Sequence, residues 1–299
     1  MASNPNPARP RLACEITAEC VIAARANEQG GSVDMHTIRS LPAGSVLPSL
    51  KDPNVLNPAA LSNAIADALQ TVGGGRSRDV TAVLPDAAVR TVLLEFEAFP
   101  QSPEDAAGVV KLRMRKSLPF DVEKARLSYH VCRGGAMVKV VAAVALTSVI
   151  EEYESAIREA GYAPGVVLPS TLAAVSAIES DRPTLVVKVD FAAVTVAILD
   201  RDDLRLVRTL ENSRGRNIDP QQLADDVFPS VVFFQDTFNS KIERVLVGGV
   251  DSLHEVAPAL EQVTGTTVEP LVGARYLEGG ISGMPGATAQ LGGVVGALV

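Results

Sequence analysis

Residues 184–210 hold three short β-branched runs in succession, 184–190 (TLVVKVD), 194–199 (VTVAIL) and 204–210 (LRLVRTL), the last two separated by a DRDD turn at 200–203. Closely spaced runs of this kind can satisfy their backbone groups only by pairing with one another, so they predict an antiparallel meander. A helix follows. Asp219 is its cap, Pro220 its first residue, and Leu223, Val227, Val231, Phe234 and Phe238 recur at spacings of three and four. Pro229 lies inside it and removes one backbone donor, which predicts a kink. Phe228, Phe233, Phe234 and Phe238 are four of only eight phenylalanines, and their density marks this helix as the buried spine of its lobe. The run 243–247 then leads straight into Gly248 and Gly249, with a helix over 252–263 and a strand over 266–271 beyond them. After the meander, this strand–helix–strand stretch resembles an α/β crossover.

The N-terminal half reads differently, beginning as sheet, helix, sheet before a compact βαββαβ-like insertion. One or two short strands are expected over 12–26, a loop punctuated by proline and glycine over 41–57, and a helix over 58–72 with Leu61, Ile65, Ala68 and Leu69 on one face. Gly73 to Gly75 stop that helix, and 79–84 (DVTAVL) is a buried strand. Residues 91–99 read as a strand. Pro103 opens a helix carrying Ala107, Val110, Met114 and Leu118 on one face, and Pro119 ends it. The strands 125–132 and 137–146 meet at Gly134 and Gly135, Ser148 with Glu151 reads as a capping box for a helix over 149–160, and 165–168 returns as strand. Domain boundaries follow: a flexible tail over 1–11, a first lobe over 12–180 with an inserted subdomain at about 91–169, and a second lobe over 181–299. Within the last of these, 273–286 is glycine-rich and irregular, and 287–298 closes as a small-residue helix.

Composition removes several classes of function. Lys plus Arg number 27 against 35 Asp plus Glu, a formal charge of −8, so nucleic acid is not an expected partner. Cys14, Cys20 and Cys132 form no CxxC pair and have no histidine at ligand spacing, which leaves thiols in a reducing compartment and no metal site. The first ten residues hold three prolines and no apolar core, so they do not read as a signal peptide, and no run approaches the roughly 20 residues a membrane helix needs. His36, His130 and His254 are isolated, Ser170 and Ser213 sit in no G-x-S-x-G frame, and Walker A, H-E-x-x-H and G-x-G-x-x-G patterns are absent. No catalytic residue is expected. Lys111, Arg113, Arg115, Lys116, Lys124 and Arg126 make one basic concentration, either a solvated face or a docking surface for an acidic segment or anionic headgroups.

Phe99 and Pro100, the segment 116–122 (KSLPFDV), the strand 127–130 (LSYH), the strand 140–146 followed by 154–162 (ESAIREAGY), and 230–249 (SVVFFQDTFNSKIERVLVGG) occur in the order seen in the PilM family of type IV pilus assembly proteins. The chain resembles that family from residue 12 onward. The resemblance implies an α/β, actin-like (ribonuclease H-like) fold of two lobes, with an inserted subdomain in the first and a trimmed second lobe. It also implies a nucleotide site built from two hairpin turns and a later glycine pair.

Those turns depart from the family pattern. Where the first resembles D-I-G-S-S-S, this chain has Glu15, Ile16, Thr17, Ala18, Glu19 and Cys20, so a β-branched residue replaces the glycine and Glu19 brings a carboxylate toward the phosphates. Where the second resembles D-I-G-A, it has Asp190, Phe191, Ala192 and Ala193. Gly248 and Gly249 alone survive of the nucleotide-side glycines. The six positions Glu15, Thr17, Asp190, Ala192, Gly248 and Gly249 are therefore expected to be a vestigial site, with no cofactor required and ATP with Mg²⁺ the one nucleotide it could take. The resemblance implies a cytoplasmic scaffold, peripheral to the inner membrane through its partners, that holds the cytoplasmic tail of a PilN-like membrane protein. The motor ATPase or other platform proteins, and a second copy of the chain, are further implied partners. The groove for the tail is expected along 84–90 and 112–129, with Leu84, Pro85, Lys111, Arg115, Phe120 and Tyr129 as contacts. An active ATP-binding, filament-forming relative is the alternative. A third reading is the cytoplasmic part of the type II secretion L component, which continues into a membrane span not found in these 299 residues.

Overall fold

The computed structural model describes residues 9–299 apart from 74, 76, 133–136, 202 and 279–286. Gly134 and Gly135, most of the expected tail, Gly74, one residue of the DRDD turn and the latter part of 273–286 thus lie outside the described residues.

In the first lobe, β1 (Leu12–Ile16), β2 (Cys20–Ala26) and β3 (Val33–Ser40) form an antiparallel meander. Asn57 accepts from Ala60 N–H at 3.1 Å and caps α1 (Pro58–Val72), which leads to β4 (Asp79–Leu84), parallel to β1. An excursion follows: β5 (Arg90–Phe96), α2 (Pro103–Met114), β6 (Ala125–Cys132) and β7 (Val138–Leu146), whose strands make their own sheet in the order β5-β7-β6. The helix α3 (Thr147–Glu159) and β8 (Ala163–Pro169) then return, β8 pairing parallel to β4 at the sheet edge. Because α3 buries Val149, Tyr153 and Ile157 in the same core as Leu61, Ile65 and Leu69, the excursion ends near residue 146 rather than 169. The expected capping box is not formed either. The helix starts at Thr147, Ser148 falls inside its first turn, and no side chain caps it.

A short helix α4 (Ser170–Val175) leads to the second sheet: β9 (Thr184–Val189), β10 (Ala193–Asp200), β11 (Asp203–Glu211), α5 (Pro220–Phe238), β12 (Arg244–Gly248), α6 (Leu253–Thr264) and β13 (Val268–Pro270). The meander and both parallel additions fall where the β-branched runs put them. The sheets run β3-β2-β1-β4-β8 and β11-β10-β9-β12-β13, so one topology occurs twice. Asp219 accepts from Gln222 N–H at 3.0 Å and caps α5. That helix buries Leu223, Val227, Val231 and Phe234 against the second sheet, but Phe228 and Phe233 stand 49% and 50% exposed, so only part of the aromatic cluster belongs to a buried spine.

The last helix, α7 (Gly292–Leu298), leaves the second lobe. It packs with Ala13, Ile22, Val83 and Ala173 on the face of the first sheet opposite α1 and α3. A division at residue 181 therefore misplaces the C-terminal segment. The reason is steric: a Cβ on Gly296 would stand 1.8 Å from the carbonyl oxygen of Ala173, so only a helix with glycine there approaches α4 this closely.

Candidate functional site

The carboxyl ends of β1, β4, β9 and β12 converge between the lobes, the place where an open α/β sheet binds its ligands. Four of the six expected nucleotide positions lie at the two hairpin turns and Gly248 and Gly249 at the third strand end. Each turn is occupied by the protein's own groups.

At the β1–β2 turn, the Thr17 hydroxyl accepts from Glu19 N–H at 3.2 Å and Cys20 N–H at 3.0 Å while donating to the Cys20 carbonyl at 3.0 Å. In a phosphate-binding turn such N–H groups aim at the anion. Here the β-branched residue in the glycine position takes both. Glu19 does not stand over an empty cleft: its Oε2 accepts from Arg216 Nε at 2.8 Å, an ion pair joining the first-lobe turn to the loop before α5. At the β9–β10 turn, Asp190 accepts from the adjacent Phe191 N–H at 2.7 Å, and its own N–H donates to Ala193 at 2.7 Å. The Phe191 ring lies against Gly215, where a Cβ would be 3.2 Å from it.

Beneath the turns lies a charge cluster that sequence reasoning missed. Lys188 on β9, 4% exposed, donates from Nζ to Glu15 Oε1 at 3.1 Å across the lobe boundary, and Glu15 is 1% exposed. Ser170 Oγ, at the start of α4, donates to the same oxygen. The other oxygen, Oε2, is buried without a hydrogen-bond partner, and a Cβ on Gly293 of α7 would stand 2.4 Å from it. Asp86 is buried just beyond β4, accepting from Thr171 N–H at 3.0 Å and from the Thr171 hydroxyl. Burial by itself would lower the Lys188 pKa, but the charges of Glu15, Asp190 and Asp86 outweigh it and leave it raised, a fixed ammonium. Burial raises the Asp190 pKa against the pull of Lys188. A lysine in the middle of the otherwise apolar run TLVVKV was the available signal, because a charge on a strand buried along its whole length needs a partner. Among the described residues no group of three or more His, Cys, Asp or Glu could hold a metal ion.

The surviving glycines have a packing task. Gly249 has φ +83°, and a Cβ there would meet the Val189 carbonyl oxygen at 1.7 Å; one on Gly248 would meet Leu271 at 2.8 Å. Gly249 is needed for the chain leaving β12 to pass the end of β9, and Gly248 for Leu271 to pack against β12, whatever occupies the cleft.

The expected partner contacts scatter. Leu84 and Pro85 are buried at the end of β4. Lys111 pairs with Glu123 at 3.2 Å, Arg126 with Glu154 at 3.0 Å, and Arg113 donates to the Glu95 carbonyl at 2.9 Å, so half of the basic concentration is already engaged. Arg115 is exposed and Phe120 packs at the margin of the insert's core. Two cavities adjoin the insert. One, about 540 Å³, is lined by Asp86, Val89, Arg90, Pro119 and Ala192, and so touches both parts of the expected groove. The other, about 320 Å³, lies between β8, at the edge of the first sheet, and the face of the insert's sheet that carries Ser128, His130, Val141 and Ala143, with Tyr129, Val166, Leu168 and Leu172 also in its walls. Of the six expected contacts, Tyr129 alone lines it.

Two sheets of identical strand order, facing each other across such a cleft with a helix crossing back between them, define the actin-like fold, and this chain has it. The structure is similar to a chain of the PilM–PilN type IV pilus biogenesis complex, with 20% identity over 97% of this chain and 98% of that one and a TM-score of 0.78. It is also similar to a Bacteroides thetaiotaomicron protein described as having an actin-like ATPase fold and unknown function (10% identity, 90% and 94% covered, TM-score 0.54). A third similar structure is the cytoplasmic domain of EpsL, an inner-membrane component of the type II secretion system of Vibrio cholerae (11% identity, 89% and 98% covered, TM-score 0.50). No protein-family model and no curated protein matches the sequence. No helix among the described residues is long and apolar enough to cross a membrane.

Proposed function

We propose that this protein is a scaffold of a type IV pilus or related secretion assembly, which grips the cytoplasmic tail of a PilN-like membrane protein and does not hydrolyse ATP. The observation that carries this reading is the fold likeness to a chain of the PilM–PilN complex, which extends over nearly the whole of both chains. The interior of the cleft supports the second half. Turn N–H groups bound to Thr17, a lysine seated on Glu15 and a phenylalanine beside Asp190 leave little to receive a triphosphate. The groove between β8 and the insert's sheet suits a tail, since β8 is an edge strand whose unpaired side offers backbone donors and acceptors to an extended peptide and the walls of the groove are largely apolar. In this reading the chain works on the cytoplasmic side and reaches the membrane through its partner. The motor ATPase, other platform proteins and a second copy are its further contacts.

Calorimetric titration with the cytoplasmic tail peptide of a PilN-like protein from the same organism tests the reading directly. Saturable binding, with no heat from Mg-ATP and no phosphate release, is the expected result. No binding at several hundred micromolar peptide would reject the scaffold role, and turnover of ATP abolished by Asp190→Ala would install an active ATPase in its place.

A further inference from the structure

The outer face of α5 is unlike the rest of the surface. Asp225, Pro229, Val232 and Asp236 recur at intervals of four, three and four, with Phe228 and Phe233 one turn from Val232 and Pro229 respectively, so all six share one side of the helix. Phe228 and Phe233 are half exposed and Pro229 is exposed, whereas the opposite side of α5 is buried on the second sheet. A chain with eight phenylalanines and no tryptophan thus leaves two of its largest apolar side chains half exposed on one helix, one on each flank of the strip formed by Pro229 and Val232. The helix has no Lys, Arg or His. Asp225 is bonded to Gln221 only, and among the described residues neither Asp225 nor Asp236 makes an ion pair. The face is therefore an apolar centre with an uncompensated carboxylate at each end.

We propose that this face of α5 is a second docking surface, separate from the groove between β8 and the insert's sheet, and that its occupant is a segment of another protein with an apolar face bracketed by Lys or Arg. Charge decides among the occupants. A second copy applied through the same helix would set aspartate against aspartate in either direction, and an anionic membrane surface would be repelled. A basic-flanked segment buries Phe228 and Phe233 and neutralises both carboxylates. The two cationic groups should lie about 16 Å apart, the rise of the eleven residues from Asp225 to Asp236.

The full-length protein carrying a photoreactive benzoylphenylalanine in place of Phe233, expressed in its own host and irradiated, provides the test once the crosslinked peptides are sequenced. We expect a crosslink to a different protein, in a segment with Lys or Arg on both sides of an apolar stretch. In an Asp225→Lys/Asp236→Lys background its yield should fall at least tenfold. A Phe228→Ser variant should weaken it at least fivefold while the urea midpoint falls only modestly, because about half of the ring already faces solvent. Crosslinks to a second copy, to lipid or to a segment without basic flanks, an absence of crosslinks, or indifference to charge reversal would each overturn the proposal.

Discussion

At Lys188, one ammonium does what a bound cation does in a nucleotide cleft: it sits on a buried carboxylate and neutralises a site that would otherwise be too negative to fold. Removing one member of such a pair is costly because the other remains buried and charged. Lys188→Met should lower unfolding free energy by about 3–5 kcal/mol, and Glu15→Gln/Lys188→Met should recover most of the loss, as read by urea denaturation. The pH dependence has a definite sign. The folded-state pKa of Lys188 lies above its ordinary value of 10.5, so its contribution is complete below that value and disappears as pH rises through the folded one. The stability gap between wild type and Lys188→Met should thus be flat from about pH 6 to 9 and narrow in stronger alkali. Nearby, burial and the charge of Glu15 push the Cys14 thiol up to about 12, and a maleimide at neutral pH should label partly buried Cys132 slowly and spare Cys14 in the native protein. Thr17 and Asp190 were legible in the sequence as departures from a phosphate-binding pattern. The ion pair beneath those turns was not, because Glu15 and Lys188 are 173 positions apart and only the closure of the two lobes brings them to 3.1 Å.

At the scale of single elements, agreement followed burial. The strands β4, β9 and β10 are covered on both faces, so they must be nearly continuous apolar runs and announce themselves. The strand β3 was not foreseen: it lies at a sheet edge, carries the polar sequence VDMHTIRS, and is held by its pairing with β2. Local capping chemistry was right where the cap lies outside the helix, as at Asp219, and wrong at Ser148, where β7 runs directly into α3 with no intervening loop. Two substitutions separate local from tertiary demands. Asp219→Ala should cost about 1 kcal/mol, the worth of one helix cap, and leave the fold intact. Gly249→Ala combines positive φ with a Cβ inside the Val189 carbonyl, and should abolish soluble expression or lower the melting temperature by well over 10 °C, readable by circular dichroism.

Across the whole molecule, the two lobes are joined by more than the α4 connection. The Glu15–Lys188 pair, the Arg216–Glu19 pair and the return of α7 to the first sheet all cross between them. Of these the surface pair contributes least, being screened by solvent. Replacing Gly296 by Val should therefore undock α7, expose the apolar face of the first sheet and cause aggregation, visible by light scattering, even though valine is as apolar as the helix around it. The groove between β8 and the insert's sheet exists only because that sheet stands beside the edge of the first. Val166→Asp, at an exposed groove position, should reduce binding of the PilN-like tail at least tenfold while leaving the melting temperature within a degree or two of wild type.

Taken alone, the amino-acid order determined most of the elements and their sequence along the chain, β3 excepted, because alternation, caps and glycine stops act between residues a few positions apart. It also placed Thr17 and Ala192 where the resembled pattern has glycine. Tertiary structure decided what long-range contact decides: the end of the insert, the lobe that receives the last helix, the cation that fills the cleft, and which phenylalanines face water. Those outcomes depend on distances between segments far apart in the chain, and a local pattern carries no record of them.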